Sequence, residues 1–181
     1  VICSDKTGTL TKNEMTVQKL YVNNHLLRVS GVGYRPQGEF WNGTQKIEGK
    51  EFKELEMLMT IGMLNNDAIV EHNDTDKVFG DPTEGCLIVS AEKAGLHKKQ
   101  LEEKYPRINE VPFDSTRKRM TTIHTFGKKQ LALVKGAPDS LLPLCTKMLV
   151  NNKLVKLDTK ARQKIHIVNN QLAQEALRTL G

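Results

Sequence analysis

The sequence predicts an α+β fold. Strand-like and helical periodicities come in blocks rather than in strict alternation, and Asn-Asn pairs join strand-like runs as hairpins. Val1-Ile2-Cys3-Ser4 is a β-prone run ending at Asp5, ahead of the Thr7-Gly8-Thr9 turn, so Asp5 is expected at the C-terminal tip of a strand. Met15, Val17 and Tyr21 alternate, Asn23-Asn24 supplies a turn, and Leu27 and Val29 follow, which begins an antiparallel sheet. Residues 31–49 are rich in Gly and polar residues and should be loop with short strands; Gly31-Val32-Gly33 is too short for a dinucleotide fingerprint. Phe52, Leu55, Leu58, Met59 and Met63 recur at helical spacing and stop at Asn65-Asn66-Asp67, predicting an amphipathic helix over 51–64. Asp81-Pro82-Thr83-Glu84 places an acid at the N-cap, Pro at the first helical position and Glu at the third, opening a helix that Gly95 ends. A short helix over about 97–105 precedes strand-like runs at 111–113, 121–125 and 131–135. Asn151-Asn152 forms a second hairpin turn, and Asp158 caps a last helix with Ile165, Val168, Leu172, Ala176 and Leu180 on one face.

Composition excludes several classes. With 38% hydrophobic residues and 27% charged, the 181 residues suffice for one sizeable core and a fragment of a second domain. No apolar run approaches the length of a bilayer-spanning helix, and the opening VICSDKTG has no signal-peptide pattern, so a soluble piece is expected. Cys3, Cys86 and Cys145 are dispersed and odd in number, which favours reduced thiols over a disulfide or zinc framework. The sequons at Asn42 and Asn73 read as chance matches in turns, and the five histidines, His124 included, as structural or surface groups. Residues 1–96 carry 10 basic and 14 acidic groups, whereas 97–181 carry 17 and 7. A basic second half suits an anionic partner such as a nucleotide polyphosphate, a membrane surface or nucleic acid, although a solvated lysine-rich face explains it equally. Aromatics, at 5%, do not interleave with the basic residues as a single-strand stacking platform requires.

Asp5-Lys6-Thr7-Gly8-Thr9-Leu10-Thr11 carries the most chemistry. A strand-tip carboxylate followed by backbone N–H groups and hydroxyls can hold a phosphoryl group against an oxygen nucleophile. Phosphatases built on such an aspartate place a second acid two residues on, where this chain has Thr7. Without it the aspartyl phosphate should hydrolyse slowly, as a machine storing energy in that intermediate requires.

CSDKTGTLTKNEMTV closely resembles the phosphorylation motif of the P-type cation-transporting ATPases. Gly80-Asp81-Pro82-Thr83-Glu84, the segment from Pro112 to Met120, and Lys135-Gly136-Ala137 resemble that family's nucleotide-domain motifs and follow its order. Gly33-Tyr34-Arg35-Pro36-Gln37-Gly38-Glu39 is similar to a segment of the calcium-pump branch, bacterial members included. The resemblance implies Asp5, Lys6 and Thr7 as catalytic residues, with Asp5 and Thr7 also holding Mg²⁺. It implies that Phe113 stacks on the adenine of ATP, that Lys135 and Gly136 line the deep end of the pocket, and that Glu84 contacts the base or orders nearby cations. Lys118 and Arg178 would approach the phosphates. The branch's arginine two residues after the stacking Phe is Ser115 here, a loss for which Arg117 or Arg119 could compensate. Each assignment has a plainer alternative: Glu84 as a capping-box acid, Phe113 as core, Lys135 as a solvated strand end, Arg178 on a helix surface.

The resemblance further implies an antiparallel β-sheet flanked by helical bundles. It divides the chain into residues 1–13, a stub of a haloacid-dehalogenase-like phosphorylation domain, and 14–181, a nucleotide-binding domain with its C-terminal end, including the sheet's final strand, truncated. The parent would be a cation pump, most closely a calcium pump, in a bacterial plasma membrane. This domain would lie on the cytoplasmic side, with phosphorylation, actuator and transmembrane domains in the same polypeptide. On its own it should bind ATP without turnover. A stand-alone phosphohydrolase and a basic nucleic-acid or regulatory module are the alternatives.

Overall fold

A computed structural model describes residues 13–49 and 52–181. Its first sheet is an antiparallel meander in the order β1 (Lys19–Val22), β2 (His25–Val29), β3 (Phe40–Asn42), β4 (Gln45–Ile47). Asn23 and Asn24 turn the first hairpin at φ 51° and 63°, and Asn151 and Asn152 repeat the device at 48° and 61° between β10 (Lys147–Val150) and β11 (Lys153–Lys156). A two-residue turn that matches strand twist needs positive φ at both positions, which asparagine tolerates best after glycine. The two tips then dock: the Asn23 amide donates to Asn151 Oδ1 and the Asn151 N–H donates to Asn23 Oδ1, both at 3.1 Å. The Asn152 N–H donates to the buried Glu54 carboxylate.

Helix α1 (Lys53–Leu64) is the hub, touching α2 (Pro82–Lys93), α3 (Lys98–Lys104), β1 and β9 (Lys129–Gly136). Its buried Leu55, Met59, Met63 and Leu64 join Leu27, Val29, Phe40 and Ile47 of the meander and Ile88, Ala91 and Leu101 of the neighbouring helices in one core. Asp81 caps α2 as the sequence predicts, accepting from the Thr83 N–H at 2.7 Å. A second sheet runs β7 (Arg107–Asp114), β8 (Arg119–Phe126), β9, and every strand pairing among the described residues is antiparallel. His124 is a core residue of β8, its ring nitrogens 2.9 Å from the Tyr105 carbonyl and 3.0 Å from the Thr122 hydroxyl. A four-residue segment, α4 (Pro138–Leu141), leads into a 3-10 turn ahead of β10.

Two features depart from the sequence expectation. A hairpin of β5 (Ile69–His72) and β6 (Asp76–Phe79) folds against α2, where only the turn at Asn73 is anticipated. The final helix, α5 (Thr159–Gln174), is capped by Asp158 but stops short of Ala176 and Leu180. Ala176 takes φ 56°, its N–H donates to the Ala173 carbonyl, and the Leu177 N–H donates back to Leu172, which together make a Schellman ending. Alanine fills the position that glycine usually holds, so residue type does not announce the stop.

His72 fastens the β5–β6 hairpin to α2. Its ring lies 2.7 Å from Asp76 Oδ1 and 2.9 Å from Glu92 Oε2, and Arg35 adds a contact to Asp76 at 3.3 Å. Burial would lower the imidazole pKa, but the hydrogen bonds to the two carboxylates outweigh it and raise the value. A raised histidine pKa contributes stability that is full below the unfolded value of about 6.5 and is lost as pH rises through the folded one. Thermal denaturation should therefore show the widest gap between wild type and His72→Gln near pH 5.5–6, narrowing above about pH 7.5. A gap independent of pH would contradict the ion-paired state.

Candidate nucleotide-binding site

The third residue of α2 does not close a capping box. Glu84 turns away from Asp81: Oε1 accepts from the Lys135 ammonium at 2.7 Å and Oε2 from the Asp67 N–H at 3.1 Å. Lys135, at the end of β9, also donates to the Asn65 carbonyl at 2.6 Å. The lysine and glutamate side chains are only 11% and 17% exposed, so neither is a solvated surface charge. Asn66 completes the joint, donating to the Glu84 and Gly62 carbonyls at 2.9 Å and accepting from the Ala68 N–H. Asn65, Asn66 and Asp67 all bond into this cluster, whereas the sequence presents them only as a helix stop.

Strand register brings Phe113 toward this pair. Val111 pairs with Thr121 and Asp114 with Arg119, leaving Phe113 in the irregular stretch opposite Met120, whose partner on the far side is Lys135. Phe113 is 64% exposed, which rules out a core role, while Met120, between it and Lys135 in register, is buried. Such an aromatic, one strand removed from a cationic side chain at the same level of the sheet, can receive a flat apolar ligand.

The β7–β8 turn carries the basic cluster. Asp114 organises it, accepting from the Arg117 N–H through its side chain and from the Lys118 N–H through its carbonyl. Lys118 stands at φ 52° with its side chain exposed, and its carbonyl accepts from the Ala137 N–H at 3.0 Å. The chain can pass this close because Gly136 lacks a side chain: a Cβ there would lie 2.3 Å from the Lys118 carbonyl oxygen. Arg119 donates to the Arg117 carbonyl and Arg117 to the Thr121 hydroxyl.

Arg178 reaches the site by an unanticipated route. Rather than lying on a helix face, it belongs to residues 175–181, which turn back after α5 so that Gly181 and Gly136 exchange N–H···O bonds at 2.8 and 3.0 Å. Its guanidinium donates to the Thr83 hydroxyl at 2.9 Å, and that hydroxyl donates to Met15 Sδ at 3.4 Å. Burial works against the Asp81 carboxylate, yet hydrogen bonding to Thr83, whose N–H donates to it, and the charges of Arg178 and Lys135 hold its pKa low. Cys86, one turn further, is buried with its thiol pushed up to about 11, so it is an inert packing group.

Glu84, Lys135, Gly136 and Arg178 thus converge where the start of α2, the end of β9 and the C-terminal segment meet, with Lys118 and Phe113 alongside. Asp5, Lys6 and Thr7 lie outside the described residues. Among the described residues no group of three or more His, Cys, Asp or Glu could hold a metal ion, and no helix is long and apolar enough to cross a membrane.

Residues 54–181 match the family described as P-type ATPase, cytoplasmic domain N. Over its whole length the chain is 38% identical to a calcium-transporting ATPase of Bacillus subtilis and 41% identical to a cation-transporting ATPase of Synechocystis. It is 35% identical to a probable cation-transporting ATPase F of Mycobacterium tuberculosis. The chain belongs to the P-type ATPase cytoplasmic N-domain family. It spans about a fifth of the length of these relatives, 21%, 20% and 20% respectively.

Proposed function

We propose that this domain binds ATP for a P-type cation pump, with the adenine stacked on Phe113 beside the Lys135–Glu84 pair and the phosphates directed toward Lys118 and Arg178. The observation that carries the reading is the pairing of an exposed aromatic with a recessed, hydrogen-bonded lysine across three adjacent strands. Stacking supplies affinity without demanding a particular base edge, and fixed cations offset polyphosphate charge. Glu84, committed to Lys135 and Asp67, would order the cation beside the base and hold the start of α2 to the 65–68 connector.

In the parent protein Asp5 would attack the γ-phosphate in line, Lys6 and Thr7 would hold the phosphoryl oxygens, and residues 1–13 would belong to the phosphorylation domain. Mg²⁺, for which Asp5 and Thr7 are the implied ligands, would neutralise phosphoryl charge. The name of the Bacillus subtilis relative and the Gly33–Glu39 segment support calcium as the cation, and the family's description as a cytoplasmic domain supports placement on the cytoplasmic side of a membrane. Membership of this family displaces the phosphohydrolase and nucleic-acid readings.

ATP titration of the domain should give a Kd in the range of about 1 μM to 1 mM. Phe113→Ala should weaken binding by about 1–3 kcal/mol, the value of a base stacked on an aromatic ring. Equal affinities for wild type and variant would remove Phe113 from the pocket.

A further inference from the structure

Asn65 is fully buried and makes more structural connections than its place after a helix requires. Its backbone N–H closes α1 onto the Ile61 carbonyl at 2.9 Å, and its backbone carbonyl accepts from the Lys135 ammonium at 2.6 Å. Its side-chain amide donates to the Met120 carbonyl of β8 at 3.2 Å and to the Leu133 carbonyl of β9 at 2.7 Å. Two carbonyls fix the orientation of the amide, because only its NH₂ end can satisfy both. The opposite atom, Oδ1, is buried with no hydrogen-bond partner among the described residues. A buried acceptor left unmatched opposes folding, so the position is organised around the donor end.

We propose that Asn65 is the positioning residue of the base pocket. Its amide ties the end of α1 to β8 and β9, which fixes its own carbonyl as the anchor that holds the Lys135 ammonium at the depth where it meets the base. The proposal rests on the ATP-binding reading above. The anchor is local: Lys135 and Met120 are register partners, and Met120 is the strand neighbour of Phe113. One residue therefore sets the spacing between the aromatic and the cation. Glu84 holds Lys135 from the start of α2 and Asn65 holds it from the end of α1, so losing the Asn65 amide leaves the lysine paired but misplaced.

The test is a cycle of Asn65→Leu, which keeps the branched outline and removes the donor, with Lys135→Met, read by ATP titration. Asn65→Leu should weaken binding about tenfold, and the double variant should bind no more weakly than Lys135→Met alone, because Asn65 acts only through that lysine. Additive losses would overturn the proposal, since a general structural defect would add to the loss of Lys135. Asn65→Ser serves as a second variant if Asn65→Leu does not fold. Without nucleotide, modification of Lys135 by an amine-reactive reagent, located by peptide mapping, should quicken in either folded variant and not in Phe113→Ala. Unchanged Lys135 labelling in the folded Asn65 variants would overturn the positioning role. Absence of ATP binding by wild type would instead sink the nucleotide reading.

Discussion

Lys135→Met is expected to destabilise the domain by about 2–4 kcal/mol, and adding Glu84→Gln should recover part of that loss. Removing one member of a buried, hydrogen-bonded ion pair leaves a charge out of water without its counterion, at a cost of roughly 3–5 kcal/mol when burial is complete. The pair here is slightly exposed, at 11% and 17%, which places the expectation somewhat lower. After Lys135→Met the Glu84 carboxylate keeps the Asp67 N–H and loses its cation. A neutral amide in its place carries no stranded charge, so the double variant should be the more stable of the two. Urea denaturation measures both differences directly. A double variant less stable than Lys135→Met would show that the pair does not act as a unit.

Gly136→Ala should cost about 2–4 kcal/mol, combining an overpacked contact with the hydrogen bonds displaced around it. The new methyl group would meet the Lys118 carbonyl oxygen at 2.3 Å and the Arg119 Cβ and Cα at 2.7 and 2.8 Å, all on a turn closed by the Ala137-to-Lys118 bond. Relief requires the β7–β8 turn to move away from β9, and the Gly136–Gly181 exchange sits on the same residue. For a domain of this size the melting temperature should fall by roughly 5–15 °C, with ATP affinity falling alongside because the turn carries Lys118. A fall of less than about 2 °C would mean that the close approach is relieved without loss.

The sequence makes the local devices legible where residue type and backbone requirement coincide. Asn-Asn announces both positive-φ hairpin tips, and Asp81-Pro82 announces the start of α2, because few residues tolerate those positions. The β5–β6 hairpin was illegible: its strands have four residues each, and its outer partners Ile69 and Phe79 remain exposed, so no apolar alternation marks a buried face. The end of α5 was equally hidden, since Ala176 looks like helix until the Schellman bonds are seen. At the site, the family motifs single out Glu84, Phe113, Lys135 and Gly136, whereas periodicity alone leaves Phe113 as readily core as surface. Which partner each side chain takes depends on long-range contacts, such as Lys135 with Asn65 or Arg178 with Thr83, that no local pattern encodes.

ATP should occupy the corner between Phe113, Lys135 and the start of α2. Backbone amide NMR shifts recorded during ATP titration of the isotope-labelled domain test it most directly. The largest changes should cluster at Phe113, Arg117, Lys118, Lys135, Gly136 and residues 83–85, with smaller changes at Asn65 and Asp67. An open depression of about 520 Å³ shares Asn66 and Asp67 with this corner and extends away from it to Ile69, Ile88, Glu92, Lys98, Lys99 and Arg107. Shifts centred on Glu92, Lys98 and Lys99, with Phe113 and Lys135 unmoved at saturation, would place the nucleotide outside this corner.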